Sequence, residues 1–293
     1  MPTRCLLMGA LTIAVLALAS GLSGTHRAQA QQGGYEAVAL ELVLAVDTSS
    51  SVDFQEYTLQ MQGIADAFRD PRVLAAIAKS RPLGGVAVTL VQWAGTHAQR
   101  QVVPWTRVAD PLSAERLARA IERAPRTIES GPTAIGNALA YCAGLILASP
   151  YSGRQRTIDV SGDGRANQGR SPALVRAEVT KLGITINGLA IMNEEPSLDR
   201  YYRAGVVGGR GAFMLTAPDF ESFAEAMRAK LYGEINGPLV AMTEPPAGAA
   251  ALAAGKRTAQ RAAGGSPTAL ARKFMRNFMP VGATAARAPE PGG

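Results

Sequence analysis

The chain has 293 residues, of which 47% are hydrophobic and 18% charged, with a formal net charge of +7 and two cysteines. That apolar content excludes a wholly disordered chain, and two cysteines exclude a miniature fold stapled by disulfides. The charge does not argue for a nucleic-acid-binding domain: Arg4 and Arg27 lie near the N-terminus and seven further bases lie in 245–293 against the single acid Glu290, which leaves 31–244 close to neutral.

Residues 1–30 begin with Arg4, run apolar or small from Cys5 to Leu22, and end in Ala28-Gln29-Ala30 before the polar pair Gln31-Gln32. This is the layout of a secretory signal peptide, with an uncleaved membrane anchor as the alternative. It predicts an exported protein, periplasmic or extracellular. Cys142 then has no intramolecular partner, and its apolar surroundings predict a buried thiol.

Residues 36–236 have the length of one domain. The first strand is predicted over 37–46 and a helix over 53–69, where Phe54, Tyr57, Met61, Ile64 and Phe68 recur at helical spacing. A Val-rich strand follows over 84–93, and a short one over 99–103 closed by Pro104. Helices are predicted over 113–121 and 133–147, a strand over 157–161, a helix over 171–182 and a strand over 184–191. A last short strand covers 211–215, and Pro218 opens a helix capped near Thr216 that runs to 231. Continuous apolar strands alternating with helices predict an α/β fold, doubly wound around a mainly parallel central sheet with helices on both faces. The tail over 245–293 is rich in Ala, Gly and Pro and basic, a composition of disordered chain. Within it 268–279 has Leu270, Phe274, Met275 and Phe278 near helical spacing among Arg272, Lys273 and Arg276, so a nascent helix or a weak contact with an anionic membrane is expected there.

The chemistry concentrates at strand ends. Asp47-Thr48-Ser49-Ser50-Ser51 follows the first strand, Gly131-Pro132-Thr133 precedes the long apolar helix, and Ser161-Gly162-Asp163-Gly164 follows a later strand. One carboxylate and several hydroxyls at the carboxyl end of a buried strand are hard oxygen donors, suited to magnesium. Taken singly, each motif has a plainer reading: Asp47 and Ser49 as caps of the next helix, Thr133 as an N-cap, and Asp163-Gly164 as a turn. Asp159 lies inside a buried strand and needs a partner, either the loop of Asp163 or an arginine such as Arg156. Trp93 and Trp105 are read as core or rim packing.

These three motifs, in this order, resemble the metal-ion-dependent adhesion site of the von Willebrand factor type A domain, over about residues 38–235. Val102-Val103-Pro104-Trp105, Ile158 to Gly164 and Tyr201-Tyr202-Arg203 are also similar to a bacterial group of secreted von Willebrand A-like proteins with no assigned function. The resemblance implies that Ser49, Ser51 and Thr133 give direct hydroxyl ligands, that Asp47 and Asp163 act mainly through water or one of them directly, according to state, and that the ion is Mg2+, with Mn2+ or Ca2+ as alternatives. It implies a non-catalytic module that captures an Asp or Glu of a protein partner at the ion's open position. Thr48 and Pro132 stand where glycine is usual in that family, and Pro132 would stiffen the loop bearing Thr133.

Two alternatives are a metal-assisted hydrolase and an envelope-anchored scaffold acting through the basic tail. Residue inventory counts against an enzyme. His97 is the single histidine after residue 30, and Asp159-Val160-Ser161-Gly162-Asp163 lacks the outer glycines of a nucleophile elbow. There is no H-E-x-x-H or phosphate-binding glycine loop, and Ser49 stands where an Asp-x-Asp phosphotransferase needs an acid.

Overall fold

The computed structural model describes residues 35–237 and 267–278. The leader expected at 1–30 and the remainder of the 245–293 tail lie outside the described residues. Six strands form one sheet in the order β3-β2-β1-β4-β5-β6, with β1 Glu36–Asp47, β2 Val86–Trp93, β3 Gln99–Val108, β4 Tyr151–Gly162, β5 Thr185–Ile191 and β6 Met214–Ala217. All neighbours are parallel except β3, which runs antiparallel along the edge beside β2. Among the described residues no helix is long and apolar enough to cross a membrane.

The helices cover both faces, as the alternation of apolar runs predicts. On one face α1 (Phe54–Arg69), α2 (Pro71–Ser80), α3 (Pro111–Glu122) and α7 (Phe223–Asn236) bury Ile64, Phe68, Ile77, Leu117 and Phe223 against Leu42 and Leu44 of β1. On the other, α4 (Ile135–Leu147) and α5 (Pro172–Lys181) bury Leu139, Cys142 and Val175 against Val43 of β1 and Ile158 and Val160 of β4. Successive β1 side chains thus enter opposite cores, which is why the strand reads as an unbroken apolar run.

β1 pairs with β2 on one side and with β4 on the other. The strand order reverses there, and such a switch point opens a crevice at the carboxyl ends of the strands. The loops after β1 and β4 face each other across it.

Several boundaries differ from expectation for identifiable reasons. β3 continues through Pro104 because it is an edge strand; the pairing slips between Leu90↔Val103 and Val88↔Thr106, so the proline sits at an irregularity and need not donate to the ladder. β4 begins at Tyr151, with no apolar signal in its first half, because the long β1 offers it a partner from Glu36 onward and Glu41 Oε1 accepts the Gly153 amide at 2.5 Å. α2 has no counterpart among the predicted elements; Asp70 ends α1 and caps α2 by accepting from Arg72 and Val73 amides, with Pro71 in the first turn. β6 starts at Met214 rather than 211. α7 starts at Phe223 rather than Pro218, because Asp219 Oδ1 accepts the Ser222 amide at 2.8 Å and shapes a turn first. In the tail, residues Pro267–Phe278 form a helix, α8, that packs against α4, with Phe274 only 4% exposed in the core cluster of that face.

Asp159 does not pair with Arg156. The two have opposite parity on β4 and face opposite sides of the sheet. Arg156 Nη2 donates to the Leu182 carbonyl at 2.5 Å, whereas Asp159 Oδ1 lies 2.6 Å from Lys230 Nζ of α7.

Candidate metal centre

Asp47 ends β1 with no exposed surface, and its Oδ1 accepts the Ser49 amide at 2.7 Å, which turns the chain sharply out of the strand. The turn brings Ser49 Oγ to 3.3 Å from Ser51 Oγ. Ser51 Oγ in turn donates to Asp163 Oδ1 at 2.8 Å, joining the loop after β1 to the loop after β4. α1 is capped by Asp53 through a reciprocal bond with Glu56, so neither Asp47 nor Ser49 acts as its cap.

Thr133 arrives from the third segment and is 6% exposed. It does not cap α4, whose cap position is Ala134 with no side-chain bond. Instead its amide donates to Asn167 Oδ1 at 2.8 Å and its carbonyl accepts the Asn167 amide at 3.0 Å. Thr133 Oγ1 lies 3.9 Å from the position a Cβ would take on Gly164, the residue after Asp163. The Ser50 amide donates to the Gly131 carbonyl at 2.9 Å and knits the first and third segments together. Asp47, Ser49, Ser51, Thr133 and Asp163 therefore gather at one rim of the sheet.

Five further residues support the site. Arg126 Nη2 donates to the carbonyls of Val52 at 2.7 Å and Thr48 at 3.3 Å, clamping the hydroxyl loop from behind. Asn167 and Gln168 hold the Thr133 backbone, and with Ser51 and Thr133 they line an open cavity of about 480 Å³. Gly162 is a close approach: a Cβ there would fall 2.7 Å from Asp47 Oδ2 and 2.8 Å from Tyr202 Oη. Thr48 fits because its amide and Oγ1 both donate to the Trp93 carbonyl, at 2.9 and 3.0 Å. Arg126, Asn167 and Gln168 lie outside the three motifs, and although Thr48 and Gly162 lie within them, their contacts run to segments distant in sequence.

Electrostatically the rim is incomplete. Asp47 Oδ2 and Asp163 Oδ2 are buried and have no hydrogen-bond partner. Burial, and then the neighbouring Asp163 charge, push the Asp47 carboxyl up to about 8, and burial also raises Asp163. Two partnerless carboxylate oxygens beside three hydroxyls form an oxygen-only donor set, which fits a hard divalent cation. Among the described residues no three His, Cys, Asp or Glu side chains converge, so any such ion would depend on the hydroxyls.

α8 reaches this rim through one residue. Arg170, in the loop that bears Asn167, lies over the Phe278 ring at 4.6 Å and donates to the Asn277 carbonyl at 3.0 Å. Its amide donates to Asn137 Oδ1 of α4 at 2.9 Å.

Residues 37–239 match the family model described as "Protein of unknown function (DUF1194)". The chain belongs to that family. No curated protein matches it. Among solved structures the DUF1194 chain is similar to proximal thread matrix protein 1 of the mussel byssus, at 15% identity and a TM-score of 0.52, covering 68% of this chain and 49% of that one. A further structure of that mussel protein, with a zinc-occupied MIDAS motif, matches at 17% identity and a TM-score of 0.46, covering 69% and 47%. A von Willebrand factor type A structure from Catenulispora acidiphila matches at 22% identity and a TM-score of 0.49, covering 68% and 43%. This chain thus spans less than half the length of each. The likeness to the mussel protein at a TM-score of 0.52 and 15% identity establishes a shared fold and nothing about ligands.

Proposed function

We propose that this DUF1194 protein is an exported, non-catalytic protein-binding module that uses a divalent cation to capture an Asp or Glu side chain of a partner. The observation that carries the reading is the pair of buried, partnerless oxygens, Asp47 Oδ2 and Asp163 Oδ2, set among Ser49, Ser51 and Thr133 beneath an open cavity. Burying two carboxylates with no chain cation beside their free oxygens is costly, and a bound cation offsets that cost.

In this reading Ser49, Ser51 and Thr133 hold the ion through their hydroxyls, while Asp47 and Asp163 orient those hydroxyls and balance the charge. The bound ion supplies a coordination position that a partner carboxylate can fill. Asn167 and Arg126 keep the loops in place, so little ordering remains to be done on binding. Mg2+ is favoured by the all-oxygen set, with Mn2+ or Ca2+ as the alternatives. Export rests on the leader pattern of residues 1–30. The basic face of α8 (Arg272, Lys273, Arg276) is suited to a weak contact with an anionic envelope surface.

Calorimetry with MgCl2 tests the site. Ser51→Ala should bind Mg2+ at least about tenfold more weakly than wild type, roughly 1.4 kcal/mol. Capture from an envelope extract should occur in magnesium and vanish in EDTA or with Asp47→Ala. Unchanged Mg2+ affinity in Ser51→Ala removes Ser51 from the ligand set, and capture that survives EDTA ends the cation-dependent reading.

A further inference from the structure

α8 divides its residues cleanly between two faces. Leu270, Phe274 and Phe278 follow one another four residues apart, flanked by Ala271 and Met275; Phe274 is buried and the other four are half-buried. On the opposite face Arg272, Lys273 and Arg276 stand exposed, and none of them forms an ion pair among the described residues. The helix contains no acid. A phenylalanine and leucine stripe backed by basic residues is the pattern of a helix that lies in a membrane interface.

A helix of 12 residues is marginal in water by itself, so α8 needs a surface to cover its stripe. The domain supplies one. Phe274 joins the buried cluster of the α4 face, Phe278 packs against that cluster with its ring stacked on Phe274 at 4.7 Å, and Arg170 ties the helix down through the Phe278 ring and the Asn277 carbonyl. An anionic phospholipid surface supplies another. Lipid chains are as apolar as a protein core, so covering the stripe is worth a similar amount in either place. Charge separates the two. On the domain the three cations face water, whereas beside anionic headgroups each of them is attracted, which offsets the apolar seat uncovered on α4. Residues 238–266 join α8 to the domain, and a segment of that length can span up to about 95 Å, so the helix can leave its seat without unfolding the sheet.

Resting on the envelope contact assigned above to its basic face, we propose that α8 is a releasable anchor: it exchanges its seat on α4 for an anionic phospholipid surface, where the Leu270, Phe274 and Phe278 stripe inserts among the lipids. The stripe cannot be covered by α4 and by lipid at once, so docking and insertion compete. Anything that loosens α8 from the domain therefore strengthens its hold on the membrane.

The test is co-sedimentation of residues 31–293, which keep every described element and omit the apolar leader stretch, with vesicles of equal parts phosphatidylglycerol and phosphatidylcholine, in EDTA so that the metal rim plays no part. Binding should be at least about tenfold weaker on pure phosphatidylcholine, and weaker by the same factor in the triple variant Arg272→Gln/Lys273→Gln/Arg276→Gln, whose positions are all exposed. Arg170→Ala removes a cation yet loosens the seat, so it should bind these vesicles about threefold more tightly. Phe278→Trp places a reporter in the stripe, and brominated phosphatidylglycerol should quench its emission. Binding that leaves this reporter unquenched, or that Arg170→Ala leaves unchanged or weakens, overturns the release of α8 and leaves only a basic face touching lipid from its seat. Absence of binding to the anionic vesicles overturns the release and the envelope contact together, while capture of a partner carboxylate in magnesium is read separately.

Discussion

The molecule buries two pairs of carboxylates and treats them differently. Asp159 and Glu234 lie under α7 with Lys230 between them, a cation supplied by the chain itself. Asp47 and Asp163 lie at the rim among hydroxyls, and their free oxygens receive nothing from the chain. A buried carboxylate neutralised from within ties elements together; one left open stores a demand that only an added species can meet. The first pair fastens α7 to β4 through one shared ammonium, with Asp159 Oδ2 and Glu234 Oε2 left unpartnered, whereas no chain ammonium or guanidinium forms an ion pair with the second.

The largest expected effect tests the internally neutralised pair. Lys230→Met leaves two buried acids without their cation, so urea unfolding should show a loss of about 3–5 kcal/mol. A loss well below that range would mean that the acids take up a proton cheaply and the pairs are not so unlike. Asp47→Asn should act in the opposite direction in EDTA, holding or raising the urea midpoint while abolishing the stabilisation that MgCl2 gives the wild type.

The pH dependence sharpens the contrast. Asp47 has a folded value near 8, above its unfolded value near 3.8. In that window the folded state holds the extra proton, so stability in EDTA should fall as pH rises from about 4 to about 8 and then level off. Magnesium should raise the melting temperature more at pH 8 than at pH 5, because at the lower pH the ion competes with that proton. Asp47→Asn should flatten the fall; an equally steep curve in the variant would assign it to other groups.

The smallest effect concerns α8. Arg170→Ala removes the stacking on Phe278 and the bond to the Asn277 carbonyl. A cost of about 1 kcal/mol or less is expected in thermal unfolding, with Mg2+ affinity changed by about threefold or less. A larger change in affinity would make α8 part of the rim rather than a brace beside it.

Local patterning carried much of the architecture. β1 shows its burial on both faces through an unbroken apolar run, and α1 announces itself by helical periodicity, whereas its cap, Asp53 with Glu56, emerged only in the structure. Elements with weak local signals were harder: the first half of β4 forms because β1 is long enough to pair with it, and β3 passes Pro104 because it is an edge. The five rim residues stand in short sequence motifs, because Asp47 ends β1 and the others lie in the loops next to strand ends or a helix start. Arg126 and Asn167 were not, because their roles are contacts between segments.

From the sequence alone came the α/β class and the residue types waiting at the strand ends, because hydrophobic period and capping are properties of neighbours along the chain. Tertiary structure decided which strands lie side by side, and so that Ser51 reaches Asp163. It also decided that Asp159 finds Lys230 rather than Arg156, because a buried charge is neutralised by whatever the fold brings within a few ångströms, and sequence separation does not enter that energy.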